Sequence, residues 1–217
     1  MRKITYLILL VCSLAQSQIA FKYVAVFSDE KYRFNESHNQ PNVDLAIDNP
    51  LINNNPNLAV IVTNDYGPNG PYLNKSYYVY FRPESSGGIW TIRCTDGIPE
   101  NAKFNVLAVP LGEKAFKHTI STDTNSTSVI NHPLLNGNPT AKFLICNNGS
   151  SNTDPVGVYY SGSKWNIFNQ NRTPLKRGNY FIVIDENIFS IEASNSLFNV
   201  NPIDNVSTNN NPNALVF

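Results

Sequence analysis

Three stretches of this chain spell nearly the same pattern, and repetition of this length restricts the fold to copies of one supersecondary unit. Ile47-Asp48-Asn49-Pro50-Leu51-Ile52-Asn53-Asn54-Asn55-Pro56 is echoed by Ile130-Asn131-His132-Pro133-Leu134-Leu135-Asn136-Gly137-Asn138-Pro139. It returns as Ile203-Asp204-Asn205-Val206-Ser207-Thr208-Asn209-Asn210-Asn211-Pro212. Phe21–Val26 lies 83 positions before Phe104–Val109, and the same 83 separate Pro50 from Pro133. Phe181-Ile182-Val183-Ile184 opens a third copy. The motif therefore sets units at 18–103 and 104–180 and a partial third at 181–217, behind an export leader at 1–17.

The leader reading rests on Arg2 and Lys3, an apolar run over Ile4–Leu14, and the small residues Ala15 and Ser17 at the −3 and −1 positions. Cleavage is expected between Ser17 and Gln18, and no later segment is apolar enough to span a bilayer. The chain holds 16 Lys and Arg against 16 Asp and Glu, and losing Arg2 and Lys3 leaves 14 against 16. No basic cluster suggests a nucleic-acid footprint. Cys94 and Cys146 are the thiols that survive cleavage, and neither recurs between copies, so a built-in disulfide is not expected.

Inside each unit the periodicity is that of strands. Leu58–Val62 and Ala141–Ile145 are short apolar runs bounded by Asn and Pro. Tyr77–Phe81 and Val156–Tyr160 are β-branched and aromatic, and Trp90-Thr91-Ile92 and Trp165-Asn166-Ile167 alternate. No stretch carries a useful helical period. The expected fold is all-β, with antiparallel sandwich- or barrel-like units in tandem. Four extra residues within Arg82–Gly88, against the short Ser161–Lys164 turn, are expected to form a surface loop. The third copy breaks off inside its apolar strand, which favours an incomplete gene product with Leu215, Val216 and Phe217 open; the alternative is that this partial copy supplies the closing strands of the preceding unit.

The second copy reads His132-Pro133-Leu134-Leu135-Asn136-Gly137-Asn138-Pro139, Pro155-Val156-Gly157-Val158-Tyr159-Tyr160 and Trp165-Asn166-Ile167-Phe168-Asn169-Gln170-Asn171-Arg172. In these stretches it resembles an uncharacterised family of bacterial secreted tandem repeats, a domain of unknown function. Leu175-Lys176-Arg177-Gly178 departs from the family's Met-Pro-x-Gly. The resemblance implies export and repetition, and it brings no activity, cofactor or site residue.

No catalytic constellation, cofactor motif or metal spacing emerges. His38, His118 and His132 are isolated, and His132 takes the place of Asn49 and Asn205 as a polar turn residue. Asp48 and Asp204 recur, with Asn131 between them, and read as Asx-turn residues rather than calcium ligands. Trp90 and Trp165 share strand faces with Ile92 and Ile167, which assigns them to the core. Parity sends Tyr77, Val79 and Phe81 inward, leaving Tyr78, Tyr80 and the equivalent Tyr159 outward as candidate ligand-binding residues. The expectation is an exported, non-enzymatic repeat protein, secreted or at the cell surface, that binds a glycan or a surface protein. The alternative is an accessory carbohydrate-binding region of a larger secreted enzyme, truncated at Phe217.

Overall fold

The computed structural model describes residues 18–26, 43–66, 71, 73, 76–84, 87–123, 126–150, 152–189, 203–211 and 213–217. Residues 1–17, read above as an export leader, and His38 lie outside them. Six strands come first: β1 (Ile19–Val24), β2 (Asp44–Ile47), β3 (Leu58–Asn64), β4 (Tyr77–Glu84), β5 (Gly87–Cys94) and β6 (Lys103–Pro110). Six follow: β7 (Ala115–Ile120), β8 (Thr127–Ile130), β9 (Phe143–Asn148), β10 (Val156–Ser161), β11 (Lys164–Asn169) and β12 (Gly178–Ile184). Among the described residues there is no helix, as the alternating patterns require.

Among the described residues all strand pairs are antiparallel and form four three-stranded sheets, β1-β6-β3 and β2-β5-β4 in the first half, β7-β12-β9 and β8-β11-β10 in the second. Adding six to each strand number of the first half gives the second. Hydrogen bonding places β6, which carries Phe104, between β1 and β3, and the strand order repeats over β1–β6 and β7–β12. A sequence repeat reveals a period but not its phase. The likeness of Phe21–Val26 to Phe104–Val109 is that of two neighbouring strands in one sheet, with Phe21 opposite Val106.

Continuous apolar runs become strands covered on both faces. In β12, Tyr180 and Ile182 belong to the core of the second unit, together with Ile130, Leu135 and Ile167. Phe181 and Val183 point the other way, into the core of the first unit with Leu45, Val79, Trp90 and Phe104. Phe181 meets the Trp90 ring edge-on at 5.8 Å between centroids. One sheet thus closes both cores and joins the units.

The four extra residues of the first hairpin lengthen its ladder instead of forming a loop. Arg82 opposite Ile89 corresponds to Ser161 opposite Lys164, and Pro83–Gly88 and Glu84–Gly87 are two further pairs. The second hairpin closes directly through Gly162 and Ser163, both at positive φ, the geometry that follows the twist of the strands.

The repeated motif folds the same way three times. Asn53 Nδ2 donates to Asp48 Oδ1 at 2.8 Å, Asn136 Nδ2 to Asn131 Oδ1 at 2.9 Å, and Asn209 Nδ2 to Asp204 Oδ1 at 2.7 Å. Each turn then passes through a residue at positive φ: Asn54 at 62°, Gly137 at 71° and Asn210 at 57°. Asn and Gly are the residues that tolerate this region at least cost. After the third turn the chain lies against β3 and β6. Thr63 Oγ1 and Asn105 Nδ2 donate to the Val216 carbonyl at 2.7 and 3.0 Å, and Phe217 packs on the first core. Leu215 and Phe217, expected to stand open, are half-buried there, while Val216 stays exposed.

Candidate functional site

Strand parity divides the β2-β5-β4 sheet into two chemistries. Leu45, Ile47, Val79, Trp90, Ile92 and Cys94 face the core. On the outer face, Tyr78 is opposite Arg93, which is opposite Asp44; one step along, Tyr80 is opposite Thr91, which is opposite Ala46. Cross-strand neighbours of this kind lie close enough for their side chains to touch.

The contacts follow. The rings of Tyr78 and Tyr80 lie 5.9 Å apart, tilted by 51°, and the Arg93 guanidinium sits 5.2 Å from the Tyr80 centroid. Arg93 Nε donates to Asp44 Oδ1 at 2.6 Å and Nη2 donates to Oδ2, a bidentate pair. The Asp44 side chain is 3 % exposed and that of Arg93 is 31 %. The Asp44 hydrogen bonds, outweighing burial, push the Arg93 pKa further up, so its charge is fixed. Burial, followed by the Asp44 charge, pushes the Tyr80 hydroxyl up to about 12. Tyr80 is therefore a neutral phenol at neutral pH, its hydroxyl hydrogen-bonded to Asp44. The surface combines two half-buried rings with an ion pair that cancels its own charge.

Parity alone locates both tyrosines on this face, but they are half-buried because each leans on the other and on Arg93. Tyr159 lies at the equivalent place in the second unit, 40 % exposed, against the edge of Phe168 at 5.5 Å. Its same-face neighbours on β10 are Gly157 and Ser161, neither a tyrosine. Gly157 stands where the first unit has Tyr78, and a Cβ there would run into the Phe168 ring. Phe168 opposite Thr127 replaces Arg93 opposite Asp44. Sequence reasoning missed Arg93 and Asp44. Parity on β5 marks Arg93 as outward, but its partner becomes visible only once β2 pairs with β5.

Other expected positions resolve into structural roles. Trp90 is 1 % exposed, and its Nε1 donates to the Asn55 carbonyl at 3.0 Å; Trp165 Nε1 donates to the Asn138 carbonyl at 2.9 Å. Both indoles hold their own turns. His132 Nδ1 accepts from the Leu134 N–H at 3.4 Å, its ring stacked on Phe116 at 4.0 Å. His118 Nε2 is 2.8 Å from Ser128 Oγ. Asp48 and Asp204 accept from the turn asparagines described above. Cys94 and Cys146 are buried thiols, and burial pushes that of Cys146 up to about 11. Among the described residues no group of three His, Cys, Asp or Glu is placed to hold a metal ion. Nor, among them, is any helix long and apolar enough to cross a membrane.

No curated protein and no solved structure matched the chain. Residues 79–185, from within β4 to just past β12, match the family model of a domain of unknown function (DUF7452).

Proposed function

We propose that this is an exported, non-enzymatic binding protein acting at the cell surface or outside the cell, and that the outer face of the β2-β5-β4 sheet recognises a glycan. The observation that carries the reading is the Tyr78–Tyr80 pair braced by Arg93. Adjacent aromatic rings on a sheet offer flat apolar area to the C–H faces of a sugar, with hydroxyls at the margin for its polar groups. Because Asp44 neutralises Arg93, the face favours an uncharged sugar over an acidic one. Tyr159 supplies a smaller, secondary contact.

A broad glycan array probed with the purified chain tests this. The expected result is selective retention of neutral glycans, weakened about tenfold by Tyr78→Ala or Tyr80→Ala, the scale of one central aromatic contact. Retention of no glycan, or equal retention by the alanine variants, removes the basis of the proposal.

A further inference from the structure

In both complete units the repeated turn is held by a tryptophan-bearing hairpin. In the first, the Asn54 N–H donates to the Gly88 carbonyl at 2.8 Å, the Gly88 N–H donates to Asn54 Oδ1 at 2.9 Å, and Trp90 Nε1 donates to the Asn55 carbonyl at 3.0 Å. In the second, the Gly137 N–H donates to the Ser163 carbonyl at 2.8 Å and Trp165 Nε1 to the Asn138 carbonyl at 2.9 Å. The motif is thus one half of a two-part contact, and the hairpin is the other.

The third turn has the first half alone among the described residues. Its internal bonds include counterparts of those in the first turn, and the Asn211 carbonyl also accepts from the Ala214 N–H at 3.1 Å, as the Asn138 carbonyl does from Ala141 in the second. Ser207 N–H donates to Asn205 Oδ1 at 2.9 Å, as Leu51 N–H does to Asn49 Oδ1 at 2.9 Å. Asn213 N–H donates to Asn211 Oδ1 at 3.1 Å, as Asn57 N–H does to Asn55 Oδ1 at 3.0 Å. Asn210 has the conformation and the side chain of Asn54. Among the described residues no hairpin bond is made to the Asn210 N–H or its side-chain oxygen, where Asn54 exchanges bonds with Gly88.

We propose that the third turn, Asn205–Asn211, is a preformed binding site for a β-hairpin of the Gly-Gly-x-Trp kind, supplied by a further unit of the same build. Continuity with the two internal turn–hairpin contacts identifies the occupant. Asn210 meets the hairpin backbone through its N–H and side-chain oxygen, and the Asn211 carbonyl takes the indole N–H. The first glycine is required because a Cβ on Gly87 would collide with Asn54 Oδ1, and Asn210 presents the same oxygen. Asn at this position therefore demands glycine at the first position, whereas a Cβ on Gly162, in the hairpin that meets Gly137, would have nothing within 4 Å. This site is separate from the tyrosine face and does not depend on its function.

The test is a titration of the isotope-labelled full chain with a backbone-cyclised peptide carrying the sequence Tyr77–Cys94 with Cys94→Ser. Cyclisation is needed because a lone two-stranded hairpin is marginally stable in water. Saturable shifts are expected at the Asn210 and Asn211 amides, together with a shift of the peptide's indole proton. The same peptide with Trp90→Ala or Gly87→Ala should bind at least about tenfold more weakly. In the chain, Asn210→Gly keeps the turn conformation, as Gly137 does, and should weaken binding about two- to tenfold by removing one hydrogen bond. Tyr78→Ala in the chain should leave the titration unchanged. The proposal is overturned by the absence of saturable shifts at millimolar peptide, by shifts confined to other residues, or by equal binding of the Trp90→Ala peptide. Self-association of the chain alone, abolished by Asn210→Gly, would support the site and place the further unit in a second copy of the chain.

Discussion

The outer faces of the β2-β5-β4 and β8-β11-β10 sheets occupy equivalent places in two units of identical strand order, and they share a tyrosine, Tyr80 in one and Tyr159 in the other. Around that residue they diverge. The first has Tyr78, Arg93 and Asp44 across three strands, where the second has Gly157, Phe168 and Thr127. The inner faces diverge less, each presenting a tryptophan and an isoleucine two residues apart on its central strand. The backbone needs the inner pattern in every copy. The outer face is free to vary, and one copy has acquired a braced aromatic pair there.

The largest test concerns the part held in common. Trp90 is fully buried against Phe81 and Phe181, while Trp165 is half-buried against Phe143 and Tyr160. Trp90→Ala should destabilise by about 3–5 kcal/mol and Trp165→Ala by about half that, read by denaturant unfolding. Equal losses would mean that the shared sheet does not make the first core the larger contributor.

A smaller effect is expected on the face itself. Arg93→Ala strands a buried Asp44 carboxylate and should cost about 2–3 kcal/mol, toward the lower end for breaking a buried pair because Arg93 reaches water. Converting the first face into the second, with Asp44→Thr, Arg93→Phe and Tyr78→Gly together, should recover most of that loss. The triple variant should lie within about 1.5 kcal/mol of the parent, since an ion pair replaced whole by fitting apolar groups is often close to neutral. It should also lose glycan retention. A triple variant less stable than Arg93→Ala would show that the two faces are not interchangeable, and that the pair is structural.

How far this difference was readable from sequence depends on the range of each interaction. Parity within β4 places Tyr78 and Tyr80 on one face, and the Asn-rich motif declares its turns, because each depends on residues a few positions apart. The Asp44–Arg93 bond spans 49 positions, and nothing local in either strand announces it. The phase of the repeat was hidden for a related reason: β1 and β6 resemble each other as sheet neighbours, so alignment alone could not say which unit owns β6. Trp90 was legible as a core residue, but its indole bond to the turn required the hairpin and the motif to be brought together in space.

The smallest expected effect separates the units by pH. Among the described residues both histidines, His118 and His132, belong to the second unit, and burial lowers the pKa of each. The unfolded chain, with ordinary values of about 6.5, therefore binds protons more readily than the fold does. The stability this contributes is present above that value and is lost as pH falls through the lower folded values. Unfolding followed at successive pH values between neutrality and mild acid should show this decline. His132→Asn, which restores the residue found in the other two turns, should flatten part of it, and adding His118→Gln should flatten more. Because the first unit has no histidine among its described residues, the loss should register first in probes of the second, such as the amides of Phe116 and Ile130. A decline of equal size in the double variant would assign the acid sensitivity to carboxylates instead, and would remove pH as a means of telling the two units apart.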